Sequence, residues 1–268
     1  MEIILTLLGV IVFVVVLIHL GSFLIYDRKV EYVKIAFDKH DLSPELNGYK
    51  MVFISDVHKY NLKKLDKIVD DINQVGVDLV LIGGDFPHRE KAIPPIKVLA
   101  QINSTDGCYA VGGNHDNLQI FGRILKENKM TFLRNQGVRI RNGLFIAGVE
   151  DRWKGQPNIK AAIKGIKHHD CVILLTHNPD IVMEQSTEGI DMVLAGHTHG
   201  GELTLFGKFV PALTLTKHVT EYKKRFQGGL TYSKDNVPVY ICQGLGSHFI
   251  RLFARPQILF IKLQNKKD

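Results

Sequence analysis

The hydrophobic pattern splits the chain into two unlike parts. From Ile3 to Ile25 no residue is charged, and only Thr6, His19 and Ser22 are clearly polar. A helix of that length crosses the ~30 Å hydrocarbon layer of a bilayer, so residues 1–27 are expected to form a transmembrane anchor. A cleaved signal peptide is the alternative. It is disfavoured because the only charge ahead of the apolar run is Glu2 and no small-x-small cleavage site follows it. Residues 28–47 then read as a linker with one alternating run, Glu31 to Phe37, of the edge-strand type.

Beyond residue 48 the pattern is that of one large domain, 48–268. Met51–Ile54, Leu79–Ile82, Cys108–Val111, Cys171–Leu175 and Met192–Ala195 are short, continuous apolar runs, as expected of strands buried on both faces. Leu62, Leu65, Ile68, Val69 and Ile72 recur at helical spacing between the first two, which makes a βαβ unit. A second helix is expected over Ile93 to Ile102, with Pro94 and Pro95 in the first turn, where proline is tolerated. Asn142-Gly143 between Val138–Ile140 and Leu144–Val149 signals an antiparallel hairpin. Past Gly201 come short alternating runs, Leu203 to Phe206, Val237 to Cys242 and Gln257 to Lys262. The fold class that follows is α/β: a four-layer αββα sandwich of two mixed sheets, preceded by the transmembrane helix.

Charge and cysteine content narrow the setting only a little. The 34 Lys and Arg against 27 Asp and Glu give a net charge of +7, compatible with anionic substrates, acidic headgroups or nucleic acid. Aromatic interleaving is sparse and no recognition module stands out, which disfavours nucleic acid. Cys108, Cys171 and Cys242 form no CxxC pair, so no disulfide framework is expected and a reducing compartment fits. Arg28, Lys29, Lys34 and Lys39 all follow the apolar run, and the positive-inside tendency then puts the domain in the cytoplasm.

The chemistry is concentrated in five short segments: Ser-Asp56-Val-His58, Gly-Gly-Asp85, Gly-Asn114-His115-Asp116, Thr-His177 and Gly-His197-Thr-His199. Each ends an expected strand, and in open α/β sheets sites form beyond the carboxyl ends of strands. Gly-His-Thr-His alone should arise by chance on the order of 10⁻³ times in a chain this long. Carboxylate, imidazole and amide oxygen together hold Mn²⁺, Zn²⁺, Fe or Mg²⁺. One Asp can serve two cations ~3.5 to 4 Å apart, a separation suited to in-line attack at phosphorus. Against this stand plainer readings: Asn114 in a Gly-rich turn can simply supply a left-handed conformation. Asp151 and Arg152 read as a structural ion pair, with substrate contact as the alternative, and His40, His88, His168, His169, His218 and His248 as surface residues, with His248 lining the pocket as a second reading.

Taken together the five segments resemble the calcineurin-like metallophosphoesterase superfamily, over about residues 48–263. The resemblance implies two divalent metal ions, manganese first, with zinc, iron or magnesium as alternatives. It implies Asp56, His58 and His199 on one ion, Asn114, His177 and His197 on the other, and Asp85 as the bridge. His115 becomes the general acid for the leaving oxygen, oriented by Asp116 or Asp85. More narrowly, the anchor, Gly-His-Thr-His-Gly-Gly, Gly244-Leu-Gly246 and Arg251 to Pro256 resemble membrane-associated bacterial phosphoesterases that include UDP-2,3-diacylglucosamine pyrophosphatases. That implies hydrolysis to the lipid monophosphate and UMP. Lys59-Tyr60-Asn61 and Glu202 depart from that pattern and bear on substrate preference. A general phosphodiesterase or phosphomonoesterase, and a catalytically silent metal-binding scaffold, are the alternatives. The expected partners are a lipid-linked or nucleotide-linked phosphate and the membrane. Phe206 to Val219, Phe249, Ile250 and Phe253, interleaved with Lys208, Lys217, Arg251 and Arg255, read either as sandwich packing or as an apolar, basic rim that accepts acyl chains.

Overall fold

The computed structural model describes residues 2–25, 29–202, 204, 209–210, 219–247 and 251–266. The expected strand Leu203 to Phe206 lies, apart from Thr204, outside them. So do most of the Phe206–Val219 segment, Phe249 and Ile250.

The first apolar run is helix α1 (Glu2–Ile25), and most of its described side chains, among them Ile3, Leu8, Phe13 and Leu17, are exposed. Among the described residues, no helix is long and apolar enough to cross a membrane. In α1 the stretch with every side chain described runs over 2–18. The expected transmembrane span therefore stands without structural support.

Among the described residues beyond α1 the strands form two six-stranded mixed sheets. In the first, β1 (Glu31–Lys39) is an edge strand, followed by β12 (Gln257–Asn265), β2 (Lys50–Ile54), β3 (Leu79–Ile82), β4 (Cys108–Ala110) and β5 (Thr131–Phe132). In the second the order is β10 (Gly229–Tyr232), β11 (Pro238–Ile241), β9 (Met192–Ala195), β8 (Cys171–Leu175), β7 (Leu144–Gly148) and β6 (Gln136–Arg141). Strands β2 to β5 run parallel, as do β7, β8, β9 and β11. The Asn-Gly turn makes the antiparallel β6–β7 hairpin, with Gly143 at φ 84°.

Strand alternation explains why the apolar runs are continuous. Met51, Phe53, Leu79 and Leu81 point between the sheets, where they meet Leu144, Ile146, Ile173, Leu175 and Leu194. Their neighbours Val52, Ile54, Val80 and Ile82 point outward, under α2 (Leu62–Val75), α3 (Ile93–Leu99) and α4 (Leu118–Glu127). On the other side Phe145, Ala147, Val172, Leu174 and Val193 pack beneath α5 (Ile159–Ala162) and α6 (Ile181–Glu184). Each central strand thus needs apolar side chains on both faces, and the result is the α/β/β/α layering that the pattern implies. Successive side chains alternate between the two cores, so a one-residue slip would exchange the two sets.

Candidate metal centre

All five segments gather at the carboxyl-terminal edge where the two sheets meet. β2, β3 and β4 deliver Asp56 with His58, Asp85, and Asn114 with His115; β8 and β9 deliver His177, and His197 with His199. Main-chain bonds tie the loops together: Asp56 N–H donates to Gly84 O (2.9 Å), His58 N–H to Asp85 O (3.0 Å) and Gly196 N–H to His177 O (3.1 Å). Gly196 must be glycine for a packing reason, since a β-carbon there would stand 2.0 Å from Ser55 Oγ and 2.3 Å from Asp56 Oδ2. Asp56, His58, Asp85, His197 and His199 all have positive φ, from 39° to 73°. Left-handed backbone at non-glycine residues is held only where the surroundings over-determine it, and it clusters at functional sites.

Two groups of ligand-type atoms result, each within 4.8 Å: Asp56, His58, Asp85 and His199, and Asp85, His177 and His197. Asp85 belongs to both. Its Oδ2 lies 3.2 Å from His177 Nε2 and 3.6 Å from His58 Nε2, while its Oδ1 accepts the main-chain N–H of His115 at 2.8 Å. Across the first group His58 Nε2 stands 3.1 Å from His199 Nε2, which is 3.3 Å from Asp56 Oδ1. In the second, His177 Nε2 faces Asn114 Oδ1 at 3.1 Å and His197 Nδ1 at 3.2 Å.

The protons on these rings decide what fits between them. His177 Nδ1 donates to Gly83 O (2.7 Å) and His197 Nε2 to Val219 O (2.8 Å). In the neutral rings the nitrogens that face each other therefore both carry lone pairs. With Asn114 Oδ1 and Asp85 Oδ2 on the same spot, four electron-rich atoms converge on one position, which suits a cation. The charges agree. Burial opposes ionisation of Asp56 and Asp85, yet the neighbouring imidazoles, His199 chiefly for Asp56 and His177 for Asp85, hold both carboxyls well below the usual range. His177 is driven well above its ordinary value against burial, chiefly by Asp85. Burial and the nearby His177 push His197 down to about 3. The donor set thus fits divalent metal.

Beside the first group a recess of about 190 Å³ is lined by His58, Lys59, Phe86, Pro87, His88, His115 and Ser247. The His115 ring packs edge-to-face on His58, centroids 5.4 Å apart. The hydrogen bonds of Asp116 correct its expected role. Its carboxylate accepts main-chain N–H groups of Asp85 (2.8 Å), Gly113 (2.8 Å) and Phe86 (2.9 Å), clipping two loops together. Burial and the charge of Asp85 push its pKa up to about 7.

Two more expectations change. Arg152 pairs with Glu184 (2.6 Å) and Glu221 (2.8 Å) rather than Asp151, while Asp151 Oδ1 accepts Trp153 N–H and Lys154 N–H. Arg251 is buried and donates to main-chain carbonyls of Gln243 (2.7 Å), Ala254 (3.2 Å) and His199 (3.3 Å), and to that of Gly246. It is a pin under the ligand loop, not a headgroup contact. His88 is exposed, as expected of a surface residue; it also lines the recess and donates from Nδ1 to His115 O (2.9 Å), and its place on the Asp85 loop is the available signal for that. Trp153 was also missed, and its ring centroid is 4.7 Å from that of His197.

Paired carboxylates and imidazoles at the joint edge of two mixed sheets define a metallohydrolase centre. A family model for calcineurin-like phosphoesterases matches residues 49–201. The chain is 28% identical over 251 residues to the uncharacterized metallophosphoesterase YkoQ of Bacillus subtilis (strain 168), covering 87% of this chain and 90% of that protein. It is 30% identical over 253 residues to the phosphodiesterase YaeI of Escherichia coli (strain K12), covering 86% of each. A transmembrane protein with metallophosphoesterase domain from Danio rerio is 27% identical over 262 residues, covering 88% of this chain and 57% of that longer protein. The chain belongs to the calcineurin-like phosphoesterase family. It is a metal-dependent phosphoesterase.

Proposed function

We propose that the chain hydrolyses phosphodiester or pyrophosphate bonds with two divalent cations. Asp56, His58 and His199 would hold one, Asn114, His177 and His197 the other, and Asp85 both. The observation that carries this is the Asp85 carboxylate, whose Oδ2 serves the two groups at once. When bound, the cations supply Lewis-acid polarisation of the phosphoryl oxygens and acidify the attacking water. The chain's own part is to hold the ester in the cleft and to protonate the leaving oxygen from His115, on the wall of the recess. Manganese is the first metal to supply.

The uncharged run Ile3 to Ile25 supports a membrane anchor over 1–27, with 28–47 as linker and edge strand and 48–268 as the hydrolase. Basic residues after the run support a cytoplasmic domain. An anchored enzyme meets substrates presented at the bilayer, and UDP-2,3-diacylglucosamine is the specific candidate that the narrower resemblance supports. A substrate panel that includes it tests this part separately.

The central test uses full-length protein in detergent, stripped of metal and reloaded. Manganese should restore hydrolysis of bis(p-nitrophenyl) phosphate, and Asp85→Asn should lose both turnover and bound metal while remaining folded. Two metals and unchanged activity in that variant would overturn the assignment. Metal binding without turnover of any ester would instead favour the silent scaffold.

A further inference from the structure

Trp153 is the chain's one tryptophan, and phosphoryl chemistry gives it no task. It is 41% exposed, yet the loop that carries it is not loose. Asp151, fully buried, accepts the N–H groups of Trp153 (2.8 Å) and Lys154 (2.9 Å), and Gly155 N–H returns to Asp151 O (2.9 Å). On the other side Arg152 is held by Glu184 and Glu221. The indole is thus kept in the open by a clamped turn.

Its neighbour is the imidazole of His197, perpendicular at 90° with centroids 4.7 Å apart. In an edge-to-face pair only one face of the indole can be covered by the imidazole, so at least one is left to other contacts. His197 in turn stands 3.2 Å from His177 in the second ligand group. The indole is therefore one imidazole removed from the second ligand group. We propose that Trp153 is a stacking platform for a planar ring on the substrate, so that this centre favours phosphates bearing a nucleobase or aryl group. The proposal rests on the phosphoesterase reading. A rigid indole loses little freedom on binding, and stacking a base on an aromatic side chain is worth enough to change affinity by about tenfold or more.

Because the tryptophan is single, its fluorescence reports on the subsite directly. Metal-loaded, full-length protein would be titrated with adenosine 5′-monophosphate, ribose 5-phosphate and phosphocholine, which share a phosphate but differ in what it carries. Adenosine monophosphate should quench the emission saturably and bind at least about tenfold more tightly than ribose 5-phosphate. The same ratio should appear in competitive inhibition of diester hydrolysis, should vanish in Trp153→Ala and should largely persist in Trp153→Phe. Equal binding of the two sugar phosphates, or a preference that survives in Trp153→Ala, would overturn the proposal. So would phosphocholine binding best, since that would mean a cation–π site. Failure of the hydrolytic reading would show separately, as absent metal-dependent turnover beside an intact fluorescence response.

Discussion

The imidazoles of the site divide by how their atoms are tied. His177 and His197 are each fixed by a ring N–H to a main-chain carbonyl, which suits a permanent ligand whose other nitrogen must stay bare. His115 is pinned instead through its main chain, its N–H to Asp85 Oδ1 and its carbonyl to His88 Nδ1, and its ring stands at the recess. His115→Ala should therefore keep both metals and slow turnover by about 10² to 10⁴, the usual range for lost general acid–base assistance. The deficit should shrink as the leaving group improves, which a series of substituted aryl phosphodiesters would measure. An equal loss across the series would mean that His115 only positions the loop.

At the scale of the element, two buried clamps carry separate predictions. Arg251 holds the turn below His199 through carbonyls of Gln243, Gly246, Ala254 and His199. Arg251→Met takes the guanidinium donor from the carbonyls of Gln243 and Ala254, while His199 O keeps Glu202 N–H and Gly246 O keeps His199 Nδ1; the cost is about 1 to 3 kcal/mol for a buried acceptor left unpaired, and thermal unfolding should show it. Asp170 illustrates the other sign. Burial opposes its ionisation, but Arg139 and the Lys167 N–H outweigh that and hold its carboxyl low. Its stabilising effect is then full above the unfolded-state value near ~3.9 and disappears as pH falls through the lower folded value. Asp170→Asn should melt below the parent at neutral pH, and the gap should close in acid.

The same scale shows what the sequence makes readable. β2, β3, β8 and β9 are legible because both faces are apolar and the run ends abruptly at a polar loop, so the ligand segments could be placed at strand ends. α4 was not anticipated, although Asn117 caps it by accepting Ile120 N–H and Phe121, Ile124 and Leu125 form its buried stripe; it follows the His115 loop too closely to stand apart. β10 is short and mostly exposed, without a periodic signal. The gathering of Asp56, Asp85, Asn114, His177, His197 and His199 follows from one rule about strand ends. Trp153 and the pin role of Arg251 depend on loop packing across long separations, which no local pattern encodes.

For the whole molecule, the first sheet contributes Asp56, His58, Asp85 and Asn114, and the second His177, His197 and His199. Metal bound by both groups would cross-link the layers. Ligands that bind only the native state stabilise it by mass action, about 2.7 kcal/mol at a hundredfold excess over Kd. Chelation should accordingly lower Tm by roughly 5 to 10 °C in a protein of this size, and manganese should restore it. An unchanged Tm would argue that the sheets are joined by their apolar core alone.

Among the described residues strand β1 has one partner, β12, and the register joins Glu31 to Gln257 and Lys39 to Asn265. In the folded sheet β12 itself lies between β1 and β2. The segment nearest the apolar helix is therefore synthesised well before the strand that seats it. Until residues 257–265 emerge, both β1 and the flank of β2 are open strand edges, which invite pairing with other chains. A ribosome stalled just short of the final strand would release a product with its ligand residues complete and its sheet unfinished, and quality control would meet it at that edge.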